Sequence, residues 1–310
     1  MASRSKSKSY FTLLILAAAV VAYVLNLGGF KDKVNQITAQ EQEQTSGSSR
    51  EVVDQINSGG GTSSGSASNK DESTNLSSKE VNTASLEIPS SKYDVVQHAH
   101  FALGYDEKHE QAAWVAYKLE ARETRGRAER EDDFRPDPAV ATGSASPSDY
   151  SRSGHDRGHL APAADFKFSK KAMSESFFMS NMSPQKPRFN RGIWKELEEQ
   201  VRDWVKKDKA YYVVTGPVLS GSRYRKIGRK NKVSVPKYYY KILLDMEEPE
   251  VKAIAFLMEN KGSEKPLSSF VVSIDRIEQM TGIDFFPNLP DNLEKKLEAS
   301  ASTRNWNFDK

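Results

Sequence analysis

The sequence predicts an α+β protein, with a largely antiparallel β-sheet core and flanking helices. Three observations carry this. Strand-like and helix-like runs are mixed through the C-terminal two thirds of the chain, without the regular alternation of a parallel sheet. The strand-like runs are β-branched and aromatic, and Gly, Pro or Asn bounds them. Residues 190–207 space apolar Ile193, Trp194, Leu197, Val201, Trp204 and Val205 three and four apart, which is one helix stripe.

Taken in chain order, the first element is apolar. Residues 10–30, "YFTLLILAAAVVAYVLNLGGF", contain no charged residue, and about 20 helical residues span the roughly 30 Å apolar core of a bilayer. Arg4, Lys6 and Lys8 precede this run without an acid. The pattern predicts a cytoplasmic basic N-terminus over 1–9, a single transmembrane anchor over 10–30, and a remainder outside the cytoplasm, periplasmic or extracellular. A cleaved signal peptide is the alternative and would secrete the protein. Residues 31–90 are rich in Ser, Gly, Asn, Gln and acid, and read as a flexible low-complexity linker. Its "GGGTSSGS" lacks the Gly-Lys-Ser/Thr ending of a phosphate loop. No internal repeat is present.

Residues 91–310 read as a folded domain. "AAWVAYKLEA" (112–121) is a strand, and "AYYVVTGPVL" (210–219) is a strand ending in a Gly-Pro turn. "SVPKYYYKILLD" (234–245) and "VKAIAFLMEN" (251–260) are two more strands. "SFVVSIDRIEQMTG" (269–282) runs from strand into a short helix that stops at Gly282, and "LPDNLEKKLEAS" (289–300) is a final helix with Asp291 near its cap. The formal charge of +3 is mildly basic and admits a polyanionic partner without requiring one. The absence of cysteine excludes disulfides, thiolate zinc sites and cysteine nucleophiles.

The chemistry concentrates in "SGHDRGHLAPAADF" (153–166), which holds two of the five histidines. A zinc site on His155 and His159 would need a helix. Gly158 lies between them and Pro162 follows, and no third ligand is evident. Downstream, Asn190, Trp194, Glu198 and Arg202 recur every four residues. Asn190 and Glu198 would stand about 12 Å apart on a regular helix, so both could hold a single hydrated ion only if the first turn is distorted. Trp194 reads as core, and His98, His100 and His109 as non-catalytic. The basic run "GSRYRKIGRKNK" (221–232) reads equally as a nucleic-acid backbone contact and as a solvated hairpin.

"DRGHLAPAADF", "SNMSPQ" and "NRGIWKELEEQVR" resemble the DNA/RNA non-specific endonucleases of the ββα-metal superfamily, the endonuclease G-like group. "WVAYKLEA", "VVTGPVL", "AFLMEN" and "SIDRIEQMTGIDFFPNLPDNLE" extend the resemblance from about Ala112 to Leu297. It implies a ββα-metal active site with His159 as general base, Asn190 as metal ligand and Glu198 holding the hydrated metal. It implies Arg202 facing the substrate phosphate, and Arg157 and Asn181 supporting the site and its substrate. The implied cofactor is Mg2+, with Mn2+ able to substitute. The implied partners are DNA and RNA as substrates, the membrane through residues 10–30, and, as options, a second copy of the chain and an inhibitor protein. An upstream substrate arginine is also implied, with Arg127, Arg130 and Arg135 as candidates. His155 departs from the tyrosine usual before the Asp-Arg-Gly-His motif, so no catalytic role is assigned to it. The alternatives are a nucleic-acid-binding module without catalysis and a hydrolase of another phosphodiester.

Overall fold

The computed structural model describes residues 88–247 and 251–308. The expected basic N-terminus, the anchor or signal segment and nearly all of the expected linker lie outside the described residues. Among the described residues no helix is long and apolar enough to cross a membrane.

The core is a seven-stranded sheet in the order β1-β2-β3-β6-β9-β10-β11. These strands are Val95–Gln97, Ala102–Asp106, Gln111–Glu120, Ala210–Pro217, Tyr238–Asp245, Lys252–Glu259 and Val271–Val272. Every pairing is antiparallel, as the mixed order of elements implies. Two short hairpins stand apart from it: β4 (Asp156–His159) with β5 (Met182–Gln185), and β7 (Lys226–Ile227) with β8 (Val233–Ser234).

Alternation along each strand sorts side chains onto two faces. Tyr117, Val213, Tyr239, Leu243 and Phe256 join one apolar cluster, and Trp114, Val214, Tyr240, Ile242 and Leu244 join another. The helix Trp194–Asp208 covers the first face with Trp194, Leu197, Val201, Trp204 and Val205, all buried. The helices Ile274–Thr281 and Asp291–Glu298 cover the second face through Ile274, Ile277 and Leu297. The sheet is therefore sandwiched between helical layers.

Several elements differ from the sequence reading. The Gly-Pro pair expected as a turn continues β6, with Gly216 paired to Tyr240 and Pro217 to Tyr239. Gly216 is there because a Cβ would come within 2.3 Å of the Ala113 carbonyl. The strand expected from residue 234 is split: Val233–Ser234 belongs to a hairpin, and β9 starts only after Pro236. Strands β1 and β2 were not anticipated. Order begins before residue 91, since Ser90 bridges Asp284 through two backbone hydrogen bonds of 2.8 and 3.0 Å. Gly282 ends its helix in the left-handed region, at φ 69°, as expected of a C-terminal glycine.

Candidate active site

The Asp-Arg-Gly-His motif is a strand, β4, paired with β5 from Asp156↔Gln185 to His159↔Met182. Gly158 lies where a Cβ would meet the Gln185 side chain at 2.2 Å, so a larger residue would push the hairpin apart. Arg157 and His159 both lie against Phe134, the guanidinium 4.0 Å from its ring centre and the imidazole edge-on at 5.8 Å. Asp156 and Gly158 point to the opposite side, toward Asn190 and Gln185.

The imidazole of His159 also packs edge-on against Phe177 at 5.0 Å, and its Nε2 is buried without a hydrogen-bond partner among the described residues. Arg130 lies 4.9 Å over that same Phe177 ring. Burial first, then the charges of Arg130 and Arg157, pulls the His159 pKa down to about 3. The imidazole is therefore neutral at physiological pH, with a lone pair unprotonated.

Arg130 thus separates from the three upstream arginine candidates. Both Arg130 and Arg135 pair with a nearby aspartate, Asp132 at 2.8 Å and Asp133 at 2.7 Å, but Arg135 is also held by the Ser174 carbonyl at 3.0 Å and stacks over Phe178. Arg127 is not among the charges that act on the imidazole.

Asn190 sits in a π-helical turn, Phe189–Ile193, and the regular helix starts only at Trp194. Gly192, with φ −109° and ψ −115°, breaks the helical path. The first turn is thus distorted. Asn190 donates its Nδ2 to Asp156 at 3.0 Å, which fixes the amide and leaves Oδ1 as the open acceptor. Asp156 also receives a two-pronged pair from Arg191 at 2.7 and 2.8 Å. Burial works to raise the Asp156 carboxyl, but the bonds from Arg191 and Asn190 hold it below the usual range.

Glu198 stands over the sheet in a group of charges. Burial pushes its carboxyl up to about 7, against the pull of Lys241 and Arg202. Arg202 donates to Asp165 at 2.9 Å, and Asp165, 2% exposed, also accepts from Tyr117 at 2.8 Å. The guanidinium expected at the substrate phosphate is therefore engaged in a buried ion pair. Lys241, 1% exposed, lies 5.2 Å from the Trp194 ring centre, and its Nζ has no hydrogen-bond partner among the described residues. The sequence reading missed it. A single lysine inside the apolar run "YYYKILL" was the signal available.

Asn181 requires a correction. It is fully buried, accepts from the Ala161 amide at 2.9 Å and donates to the carbonyls of Ala161 and Ser176 at 2.9 and 2.8 Å. It cannot reach a substrate. It anchors the segment that leaves His159. The other histidines are placed apart from the chemistry: His98 on Asp137, His109 on Ser234, His155 against the Ser153 carbonyl, and His100 edge-on to Phe168. Trp194 is core, between Phe189 and Tyr239. Tyr224 in the basic run turns inward, holding Gly221 and facing His109, and so offers no stacking surface for a base.

The family model for the DNA/RNA non-specific endonucleases matches residues 79–292. The chain belongs to this family. The nuclease is 36% identical over 211 residues to a nuclease of Nostoc sp., covering 64% of this chain and 75% of that protein. It is 36% identical over 203 residues to human mitochondrial endonuclease G, covering 61% of this chain and 68% of that protein. Among solved structures, it resembles EndoG in the crystal structure of the EndoG/EndoGI complex. The TM-score is 0.58 at 30% identity, covering 63% of this chain and 86% of the other. The shared fold is the antiparallel sheet with its helices. The nuclease is accordingly a hydrolase of nucleic-acid esters.

Proposed function

We propose that this nuclease cleaves both DNA and RNA without sequence preference, with His159 as the general base and one hydrated divalent cation at Asn190. One observation carries the reading. A single strand carries a neutral imidazole within the field of Arg130 and Arg157 on one side and clamps the Asn190 amide on the other. His159 takes the proton from the attacking water. Arg130 and Arg157 contact the scissile phosphate and oppose the charge that develops on it. A phosphate held there also offsets the charges of Arg130 and Arg157, the lesser causes after burial, and so restores part of the imidazole's basicity as substrate binds. Arg202, held by Asp165, acts by steadying Glu198.

The residues suit a hard cation. The open Oδ1 of Asn190 and the carboxylate of Glu198 are oxygen donors, the first direct and the second through water. Such a cation, Mg2+ with Mn2+ as substitute, supplies charge neutralisation at the phosphate and the leaving oxygen when bound. The exposed cations Arg223, Arg225, Lys226, Arg229 and Lys230 of the basic hairpin extend the positive surface along the polymer backbone. Likeness to EndoG in its complex with EndoGI supports an inhibitor protein as a partner. Residues 10–30 support a membrane-anchored enzyme acting outside the cytoplasm. A periplasmic reporter fused after residue 90 that stays silent would overturn that placement.

The test of the central reading uses plasmid DNA and RNA, each with Mg2+ and with chelator. Wild type cleaves both polymers, chelator stops it, and His159→Ala is inert at equal fold stability. Comparable cleavage by His159→Ala would remove the imidazole from the mechanism, and cleavage in chelator would remove the cation.

A further inference from the structure

The second helical layer carries a charge cluster that the nuclease reaction does not use. Asp275 and Glu278 lie on the helix Ile274–Thr281, Asp284 follows its glycine stop, and Glu294 and Glu298 lie on the helix Asp291–Glu298. One carboxylate oxygen each from Asp275, Glu278 and Glu298 lies within 4.8 Å of the others, and the same holds for Asp284, Glu294 and Glu298. Glu298 belongs to both groups. It is 8% exposed, and its Oε1 is buried without a hydrogen-bond partner. Glu278 accepts from the Phe285 amide at 2.9 Å, which aligns it with the loop. Among the described residues no ion pair reaches any of the five, and Lys295 offers Glu294 only a minor counter-charge.

This arrangement is unfavourable for the bare protein. Glu298 ends its helix, where the backbone carbonyls already present negative charge. A buried carboxylate oxygen without a donor needs a proton or a cation. Separations within 4.8 Å let three oxygens reach one cation, since two oxygens on opposite sides of a Ca2+ ion stand about 4.6–5.2 Å apart. A site made of several carboxylates also suits Ca2+ better than Mg2+, which keeps several waters and takes only one or two protein carboxylates.

We propose that Asp275, Glu278, Asp284, Glu294 and Glu298 form a Ca2+ site that clamps the two C-terminal helices together. Asp284 also pairs with Ser90 through the backbone. The site therefore ties the start of the folded domain to its C-terminal layer, and it is separate from the cation of the proposed reaction.

The test uses the full chain carrying Asn190→Ala, which silences the proposed active-site cation. After chelation, Ca2+ is titrated by calorimetry and by thermal melting at pH 8. One equivalent binds, and a hundredfold excess over the Kd raises the melting temperature by about 5–10 °C. Glu298→Gln abolishes both signals without lowering the calcium-free melting temperature, and Glu294→Gln, at a more exposed position, weakens them. Absence of a Ca2+ signal in the Asn190→Ala chain would mean that Glu298 simply keeps a proton, and would overturn the proposal. A shift that survives Glu298→Gln, or an equal shift with Mg2+, would overturn it as well.

Discussion

Replacing Asp156 by alanine removes three hydrogen bonds, and their energies differ. The Arg191 pair is two-pronged, but the arginine side chain is 73% exposed, so solvent screens it and it is the weaker contribution. The bond from Asn190 at 3.0 Å ends on a carboxylate that is 17% exposed, and bonds to charged groups contribute about 1.5–3 kcal/mol. The larger loss is thus the freedom regained by the Asn190 amide. Removing the partner that orients a metal ligand typically costs about 10- to 100-fold in metal affinity. Initial rates of plasmid nicking, measured across Mg2+ concentration, should show half-saturation raised by that factor in Asp156→Ala. Most of the rate should return at saturating Mg2+. Arg191→Ala should move half-saturation less than about threefold. An unchanged Mg2+ requirement in Asp156→Ala, or an equal effect from Arg191→Ala, would refute the claim that Asp156 acts by holding Asn190.

Arg130→Ala should lower kcat/KM about 10- to 100-fold and raise the His159 titration point by NMR, since one of the two depressing charges is gone. Arg135→Ala should lower the melting temperature, through loss of its Ser174 bonds, without moving that titration. Lys241→Met should move the rate optimum toward alkaline pH, because Glu198 already sits near 7 and Lys241 is the first charge pulling it down. Its melting temperature should fall, because removing one member of a buried charge group leaves Glu198 and Asp165 less compensated. Asp245, 3% exposed, has its carboxyl pushed up to about 6 by burial, against the Glu247 amide and Lys252. Between the ordinary aspartate value near 4 and that point, the folded state keeps a proton that the unfolded state releases. Stability therefore falls as pH rises through this window, and Asp245→Asn should flatten the slope in melting curves taken from pH 4 to 8.

The long apolar runs were legible because burial imposes a period on them. β3, β9, β10 and the helix Trp194–Asp208 lie where alternation or the three-four stripe put them, within a few residues. β4 was not legible in this way. "DRGH" has no apolar residue to alternate, and it is a strand only because "MSPQ" pairs beside it. β2, "ALGYD", is wholly buried, but its Gly and Asp hide it from propensity. Within the site, His159 and Asn190 stood out by residue type and order. Arg130 did not, because its role depends on which of three nearby arginines meets Phe177. Asn181 misled for the opposite reason. An asparagine in a polar loop looks like a ligand, and only its three backbone partners reveal a strut.

The two-sidedness of β4 has a bearing on how the site tolerates change in length. A ribbon whose residues face alternate sides spells the motif in two interleaved words, Arg157 with His159 and Asp156 with Gly158. Losing or gaining one residue inside it would exchange the words, turning the imidazole toward Gln185 and the carboxylate toward the phenylalanines. Such a chain could still fold its seven-stranded sheet, with the chemistry facing the wrong way. Insertions and deletions in functional descendants should therefore spare both strands of this ribbon, Asp156–His159 and Met182–Gln185.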